Sequence, residues 1–430
     1  MNKNGLNINR RNIITYIIYC ITVSLIISNS FSTRQFNNGT FSTAINTDAP
    51  FISLFRLLSV ASLIFIATLY IISTINQRKG FNKQSWSIGF PAIIFIIPPL
   101  IFSPLFSITH GFDYHSFYGT MLILVLMRLD GNDSGWFLKL SRNSVGLFLF
   151  VCILSLAVPG ISIEQNYSGD LLVPLPIRFH GVASLGNHLA ALACLFILLD
   201  ILRIELHSHK TSLWNIFSWA IAVGILGMTQ SKTTFFAFIS GLAIYSVLKF
   251  RTPWFVKFFV ATLAVAFMVL FLQSSNTVLE INNETATLTG RTQVWDYVIS
   301  LYNENKFFGY GTELWLDDTR TNFFTQYGWA PGQSHNQWVQ TLGRSGWLGM
   351  FGMIIYALSI ILASRIVYVK GGKVIFVIAW VFFVRSVTES SWMINLFSEN
   401  YMYQIIFLGV LISSVQDNHT NSKIEKTGVV

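Results

Sequence analysis

Charged side chains are scarce in this sequence of 430 residues. Only 11% of the residues are Asp, Glu, Lys or Arg, whereas 53% are hydrophobic. A soluble domain carries about a quarter of charged residues, so the composition excludes an ordinary soluble protein. Apolar runs of about 17 to 25 residues recur along the chain, which is the length that crosses a bilayer as a helix. The alternating pattern of a membrane β-barrel is absent. The sequence therefore predicts an all-α, polytopic transmembrane helical bundle.

Cysteine is also sparse, and its positions exclude a cysteine-based metal site. The three cysteines, Cys20, Cys152 and Cys194, all lie inside apolar runs and lack the spacing of metal ligands. We interpret them as small packing residues. The first 30 residues resemble a signal peptide because Arg10 and Arg11 precede an apolar run. Since many further spans follow, we predict a first helix that is retained in the mature protein.

The apolar runs divide the chain into about twelve predicted spans. Their ranges are 12–29, 52–74, 86–108, 114–128, 144–162, 182–202, 213–230, 233–249, 254–273, 346–366, 374–392 and 400–415. The predicted domains are nine spans within residues 1–273, a large loop at 274–345, three spans within 346–415 and a polar tail at 416–430. Short amphipathic helices are expected inside the large loop.

The basic residues indicate which side of the membrane each segment occupies. The net charge of +9 comes from 28 basic and 19 acidic residues, and the positive-inside rule explains it without invoking nucleic acid. With both termini in the cytoplasm, eighteen basic residues lie in cytoplasmic segments and seven in outer segments. We therefore predict cytoplasmic termini, and the large loop then lies on the outer side. The outer basic residues lie where topology does not require them, which makes them candidates for an anion site.

The stretch "SHNQWVQTLGRSGWLG", residues 334–349, contains the candidate catalytic base. Ser334 follows Pro331-Gly332 and is a favourable N-cap, so a helix is predicted to start at His335. At a helix N-terminus the helix dipole disfavours a protonated imidazole, and a neutral imidazole is a competent general base. The alternative is a surface histidine that only makes hydrogen bonds.

The residues that follow His335 have the spacing of an apolar helical face. Trp338, Val339 and Leu342 occupy successive positions of one stripe, and Gly346 lies eleven residues beyond His335, which is three helical turns. A small residue at this position would let a neighbouring helix approach closely.

A second predicted helix in the large loop follows Arg291. Trp295, Val298, Ile299 and Tyr302 lie at helical spacing and form one apolar face, which is typical of a helix lying flat at a membrane interface. A turn is predicted at 309–311, where the sequence reads Gly-Tyr-Gly.

Further cations are predicted at the same membrane face. Arg178 precedes span six, and Asn187 is predicted two helical turns inside that span, where a polar side chain faces the interior of a bundle or a cavity. Lys232 interrupts the apolar pattern between spans seven and eight, although a lysine that reaches for the interface is the alternative. Arg385 and Glu389 are four residues apart in span eleven, which favours a mutual salt bridge over ligand contact.

One histidine among several cations suits the displacement of a pyrophosphate. Arginine and lysine can neutralise a diphosphate leaving group, while the attacking hydroxyl only needs to lose its proton. Asp317-Asp318 is an alternative site for a divalent metal, but adjacent acids in a polar loop are usually solvated. We therefore expect no metal and no cofactor.

These residues resemble the O-antigen ligase and polymerase superfamily, which assembles bacterial polysaccharides in the membrane. The resemblance rests on His335-Asn336, on the His-X10-Gly element from His335 to Gly346, and on the loop stretches "TGRTQVW" and "FFGYGTELW". The stretch "FHGVASLGNHLA" resembles the region around an asparagine in span six. Together with twelve spans and a large loop before span ten, the resemblance covers most of the chain.

The resemblance implies roles for individual residues. His335 matches the histidine that activates the acceptor hydroxyl, and Arg291 matches the loop arginine that contacts a lipid-linked pyrophosphate. Ser231-Lys232 stands where ligases usually have Ser-Arg, and lysine lacks the bidentate fork of arginine. Arg178 is the further expected pyrophosphate ligand. The expected supporting residues are Asn336, Gly346, Asn187, Ser231, Arg385 and Glu389.

The resemblance further implies an enzyme that needs no metal and inverts the anomeric carbon of a glycan carried on undecaprenyl pyrophosphate. The expected function is polymerisation of lipid-linked repeat units into O-antigen, capsule or exopolysaccharide at the periplasmic face of the bacterial inner membrane. A ligase that transfers the glycan to lipid A core is the first alternative, and a flippase or transporter the second. Expected partners are the lipid-linked oligosaccharide, an acceptor glycan, the bilayer, and a chain-length regulator and flippase of the same pathway, with no nucleic acid.

Overall fold

The computed structural model describes residues 10–31, 50–76, 82–165, 167, 172–207, 210–249, 291–329, 331–392 and 394–416. The predicted span at 254–273 lies outside these residues. The first five helices are α1 (Arg10–Ser30), α2 (Pro50–Asn76), α3 (Lys83–Ile97), α4 (Tyr114–Leu126) and α5 (Ser134–Leu154). Strands β1 (Ile163–Gln165) and β2 (Ile177–Phe179) follow. The remaining helices are α6 (Gly186–His207), α7 (Leu213–Met228), α8 (Lys232–Lys249), α9 (Arg291–Tyr302), α10 (Asp317–Tyr327), α11 (Gln337–Val369), α12 (Ile375–Thr388) and α13 (Glu399–Gln416).

The chain is an all-α membrane protein, as the composition predicts. Within the described part of the chain, five helical segments are long and apolar enough to cross a membrane, and three shorter apolar helices accompany them. Most predicted spans agree with a helix to within a few residues. The predicted span at 144–162 is the largest deviation, because α5 starts at Ser134. A capping box between Asp130 and Asp133 begins that helical segment earlier than its apolar run.

Helix α13 lies at the centre of the bundle. All of its residues are buried, and it packs against α3, α5, α6 and α11. Helix α3 makes the most extensive packing with α11 and continues into a wider π-turn at Pro98–Phe102. Two adjacent prolines supply no N–H donors there, and Ser103 N–H donates to the Pro98 carbonyl five residues back.

A second, smaller core lies in the large loop, where α9 packs against α11. Its buried members are Val294, Val298, Leu301, Leu314 and Phe323. Within the predicted apolar face of α9, Val298 belongs to this core, whereas Ile299 is 42% exposed. Packing against α11 decides which face of α9 is buried. Val298 lies against Gly343 of α11, and a Cβ added to that glycine would lie 2.5 Å from the valine side chain.

Candidate functional site

His335 lies just before the first turn of α11 and is not part of the helix. Asn336 is the N-cap, since its Oδ1 accepts from the N–H groups of Trp338 at 2.9 Å and Val339 at 3.2 Å. The prediction of a Ser334 cap is therefore wrong. Ser334 instead donates its hydroxyl to Gln340 Oε1 at 2.6 Å. His335 itself has a left-handed φ of 49°, a conformation that is uncommon outside glycine and is a frequent mark of functional sites.

A carboxylate lies beside the imidazole. Glu389 Oε2 is 3.4 Å from His335 Nδ1, and the Glu389 side chain is 4% exposed whereas that of His335 is 27% exposed. When Nδ1–H donates to the carboxylate, Nε2 carries the lone pair. No described residue makes a hydrogen bond with Nε2. The pair therefore has the form of an imidazole base oriented by a buried carboxylate.

Arg291 and Asn187 contact the same carboxylate. Asn187 Nδ2 donates to Glu389 Oε1 at 2.7 Å, and Arg291 Nη2 lies 3.5 Å from that oxygen. Arg291 Nη1 donates to the Thr388 carbonyl at 3.0 Å. The amide of Gln333 adds a contact of 3.5 Å to Oε2. We call Asn187, Arg291, Gln333, His335 and Glu389 the Glu389 network.

Arg178 joins this network through Asn187. Its Nη2 donates to Asn187 Oδ1 at 2.7 Å, and its Nε donates to the Thr229 carbonyl at 3.1 Å. Arg178 lies opposite Glu164 in the β1–β2 hairpin, with 3.9 Å between the charged groups. Its guanidinium also lies 5.1 Å from the centre of the Tyr167 ring. Arg178 is thus held in a fixed position by several partners.

Asn187 lies at the second position of α6, which begins at Gly186. The prediction that it lies two turns inside the span is therefore wrong. The turn that follows the hairpin, at residues 181–185, occupies the positions that the apolar pattern assigned to the start of the helix. Lys232 is the first residue of α8, three positions after Thr229, and is partly buried. Ser231 donates its hydroxyl to Thr234 Oγ1 at 3.1 Å.

Arg385 and Glu389 do not form the predicted salt bridge. Helix α12 ends at Thr388, and Glu389 is extended, with φ −145° and ψ 151°. The two residues are therefore not one turn apart on a helix surface. Arg385 is 1% exposed and donates to Asn400 Oδ1 at 2.8 Å, with a longer contact of 3.4 Å to the Asn187 carbonyl. It lies behind the Glu389 network and supports Asn187 from the bundle side.

The surroundings keep Glu389 ionised. Burial alone raises the pKa of this carboxyl, but the hydrogen bond with His335 and the positive charges of protonated His335 and of Arg291 together outweigh it. The net effect is a pKa well below the usual range. A permanent carboxylate can stabilise an imidazolium that forms when His335 takes a proton.

A second glutamate–histidine pair, which the sequence analysis missed, lies in the bundle. Glu399 is fully buried, with Oε2 3.2 Å from His188 Nδ1. The Ser184 hydroxyl and the Asn29 amide donate to the same carboxylate at 2.7 and 2.9 Å. The signal in the sequence is an acidic residue directly before an apolar run, and it is weak. His188 is 7% exposed, so this pair is much less accessible than the pair at His335.

Gly346 occupies a break inside α11. Its φ of 57° and ψ of −152° are not helical, and a Cβ there would lie 2.5 Å from the Phe307 carbonyl oxygen and 2.6 Å from Gly309 N. The close neighbour is therefore the backbone of the loop after α9, whereas the sequence analysis expected a helix. The N–H groups of Trp347 and Leu348 donate to the carbonyls of Lys306 at 3.0 Å and Phe307 at 3.2 Å. The break thus joins the loop to the helix that follows His335.

Asp317 and Asp318 are the first two residues of α10. Across the part of the chain that the structure describes, no three His, Cys, Asp or Glu side chains cluster in a way that would hold a metal ion.

Residues 217–354 match a protein-family model described as O-antigen ligase. The matched region contains Ser231, Lys232, Arg291, His335 and Gly346, whereas Arg178, Asn187, Arg385 and Glu389 lie outside it. A comparison with curated proteins finds no match. The family match is consistent with the O-antigen ligase and polymerase superfamily. Together with the apolar helices, it indicates a bacterial integral membrane protein.

Proposed function

Taking the chain as a membrane enzyme of the O-antigen ligase and polymerase type, we propose that it is a glycosyltransferase acting on a glycan carried by undecaprenyl pyrophosphate. The observation that carries the proposal is the Glu389 network, in which one carboxylate touches both the candidate base His335 and the candidate phosphate ligand Arg291. Transfer from a diphosphate requires a positioned base for the acceptor hydroxyl and positive charge for the leaving group. In this network one carboxylate positions a candidate for each.

The proposed reaction is a single displacement at the anomeric carbon. The acceptor hydroxyl oxygen forms a bond to that carbon while His335 Nε2 takes the hydroxyl proton. The bond between the anomeric carbon and the pyrophosphate oxygen breaks, and its electron pair leaves with undecaprenyl pyrophosphate. The attack comes from the face opposite the leaving group and inverts the anomeric configuration. No metal or other cofactor enters this step.

The proposed pyrophosphate ligands are Arg291, Arg178 and Lys232. Arg291 and Arg178 have side chains 22% and 16% exposed, so each is preorganised by protein contacts yet reachable by an anion. Arginine suits this task because its planar fork binds two phosphate oxygens at once. Lys232 follows the turn whose Thr229 carbonyl accepts from Arg178, and it adds a point charge on that side.

Polymerisation of lipid-linked repeat units is our first candidate, and ligation to lipid A core is the second. The description of the matched family favours the ligase. The lysine at position 232, where the resembling ligases have arginine, favours the polymerase. A flippase is a weaker candidate, because transporters typically carry ionisable groups near the midplane and internal repeats. For either enzyme we propose the bacterial inner membrane, cytoplasmic termini and a periplasmic site, with chain-length regulator and flippase proteins as partners.

The first experiment replaces the proposed base. His335→Ala should abolish long polymer while the protein remains in the membrane at the normal level. His110→Ala is the matched control, because His110 is another histidine of a loop, is exposed, and among the described residues hydrogen-bonds only with the Pro104 carbonyl, at 3.2 Å. A normal glycan ladder from His335→Ala would remove this residue from the mechanism.

A second experiment separates the two candidate enzymes. The glycans of a deletion strain are compared on a gel. Single repeat units attached to lipid A would indicate a lost polymerase. Long polymer that stays on the undecaprenyl carrier would indicate a lost ligase.

A further inference from the structure

A cleft opens on the side of α11 that faces α3 and α4. It encloses about 30 Å³. Phe95, Ile96 and Pro99, together with Trp392 and Ile394, supply its apolar lining. The polar lining comes from the start of α4 and the first turns of α11 and includes Asp113, Ser116, Gln340, Thr341, Arg344 and Ser345. We call this space the α3–α11 cleft. Since a single water needs about 10–15 Å³ of such volume, the enclosed part accepts a group of about two non-hydrogen atoms.

The cleft holds hydrogen-bond donors that no described residue uses. Gln340 is 2% exposed, and its Oε1 accepts from Ser334 N at 2.9 Å, from Ser334 Oγ at 2.6 Å and from Trp315 Nε1 at 3.1 Å. Its amide nitrogen has no partner among the described residues. The Nε of Arg344 and the indole Nε1 of Trp392, which both belong to lining residues of the cleft, are buried and have no partner among the described residues. Buried donors without acceptors cost free energy, so these two nitrogen atoms indicate a ligand that carries oxygen acceptors.

The charges of the cleft favour a neutral ligand. Arg344 Nη2 lies 3.1 Å from Asp113 Oδ2. The same carboxylate accepts from His115 N at 3.0 Å and from Ser116 Oγ at 2.8 Å. Because the guanidinium and the carboxylate form a pair, the cleft offers a phosphate no surplus positive charge. Hydroxyl groups can use both the free donors and the hydroxyl of Ser345.

Lining residues of the cleft form hydrogen bonds with, or lie in, the segments that contain the proposed base and its carboxylate. Gln340 holds Ser334, which directly precedes His335. Trp392, three residues after Glu389, donates its N–H to Gln337 Oε1 at 2.8 Å, and both of these residues line the cleft. The cleft is thus built from residues close in sequence to the proposed base, since Gln337 follows His335 by two residues.

We propose that the α3–α11 cleft is a specificity subsite that receives a neutral, hydroxyl-bearing substituent of the acceptor sugar, such as a hydroxymethyl group. This inference rests on the proposed function, since it assigns the acceptor to one side of His335 while the pyrophosphate binds near Arg291 and Arg178. The cleft binds one substituent of the acceptor sugar, and the sugar hydroxyl next to that substituent is presented to His335.

The experiment measures the acceptor and the donor separately. The donor probe is the undecaprenyl-pyrophosphate repeat unit with its terminal hydroxyls methylated, so that it cannot accept. The acceptor probe is the repeat unit linked to an octyl group, which cannot donate. If the glycans of the deletion strain show the ligase pattern, lipid A core replaces the octyl-linked repeat unit as the acceptor probe. Transfer is followed with purified full-length protein in lipid nanodiscs.

The first variant, Ser345→Val, fills the cleft. Ser345 is buried, and no described residue forms a hydrogen bond with its hydroxyl. We expect the KM for the acceptor to rise at least tenfold, while the KM for the donor stays within twofold. Ser364→Val is the matched control, because Ser364 lies on the same helix, is fully buried and has no partner among the described residues, but does not line the cleft. It should leave both KM values unchanged.

The second variant, Gln340→Glu, keeps the Oε1 acceptor for Ser334 and Trp315 but removes the amide N–H groups. We expect a rise of at least fivefold in the KM for the acceptor, with the KM for the donor unchanged. This variant preserves the test if Ser345→Val does not fold. A wild-type acceptor KM in either folded variant would overturn the subsite. Absence of transfer by the wild-type protein itself would instead overturn the proposed function.

Discussion

The replacement Glu389→Gln tests whether the carboxylate assists the imidazole. The change removes one negative charge at nearly constant volume, and the new amide must present an N–H to at least one of its present donors. A hydrogen bond to a charged group contributes about 1.5–3 kcal/mol. The 3.4 Å separation from His335 Nδ1 favours the lower half of this range. Since about 1.4 kcal/mol corresponds to a tenfold rate change, we expect kcat to fall about 10- to 50-fold.

The assay is transfer by purified protein at saturating donor and acceptor, with folded protein quantified by thermal unfolding. The chain offers a matched control in Glu399→Gln, because Glu399 is also a buried glutamate whose carboxylate lies 3.2 Å from a histidine, His188. That variant should lower stability but keep kcat within threefold. If Glu389→Gln keeps kcat within threefold while His335→Ala is inactive, the carboxylate does not assist the base.

The other predictions concern backbone geometry, charge, pH and metal dependence. Gly346→Ala should lower the thermal stability, with a cost of about 1–3 kcal/mol for the backbone strain alone, whereas Gly224→Ala should be nearly neutral because nothing lies within 4 Å of its added Cβ; equal melting temperatures would contradict the break in α11. Lys232→Arg should retain more transfer activity than Lys232→Ala, and equal activities would reduce Lys232 to an interface anchor. Because the pKa of Glu389 is lowered on folding, the stability from its charge is complete above its unfolded value of about 4.3 and is lost as the pH falls towards the folded value. The difference in Tm between wild type and Glu389→Gln should thus shrink as the pH falls below about 4, and a difference that stays unchanged from pH 5 to pH 3 would contradict the lowered pKa. Transfer should persist in a chelator, and a loss that added Mg²⁺ reverses would reinstate a metal site.

The sequence predicted the helices better than it predicted the site. Apolar runs are a local signal, because the length and hydropathy of a span are properties of consecutive residues. Helices α1, α7, α8 and α13 therefore begin and end close to their predicted ranges. Where the errors are large, a polar group has moved a boundary. The Asp130 capping box starts the segment of α5 early, and the turn after the β1–β2 hairpin delays α6 by four residues.

The candidate residues were predicted individually, but their contacts were not. Glu389 meets His335 across 54 positions and Asn187 across 202 positions, and helical periodicity carries no information at such separations. The Arg385–Glu389 salt bridge was expected because both residues fit one helix face, and it fails because α12 stops one residue before the glutamate. The first turns of α11 show the same limit. Trp338, Val339 and Leu342 form the predicted apolar stripe, yet the most buried side chains there include Gln337 and Gln340, each 2% exposed.

The contact between the Gly346 break and the loop after α9 affects the segment that follows this loop. The chain leaves the contact after Gly311 and returns to α9 at Ser334, whose carbonyl accepts from Trp295 Nε1 at 2.9 Å. The excursion between them, which carries α10, begins and ends at fixed anchorages. Insertions at exposed positions of that excursion, away from Leu314 and Phe323 of the second core, should therefore leave the gap between Arg291 and His335 unchanged.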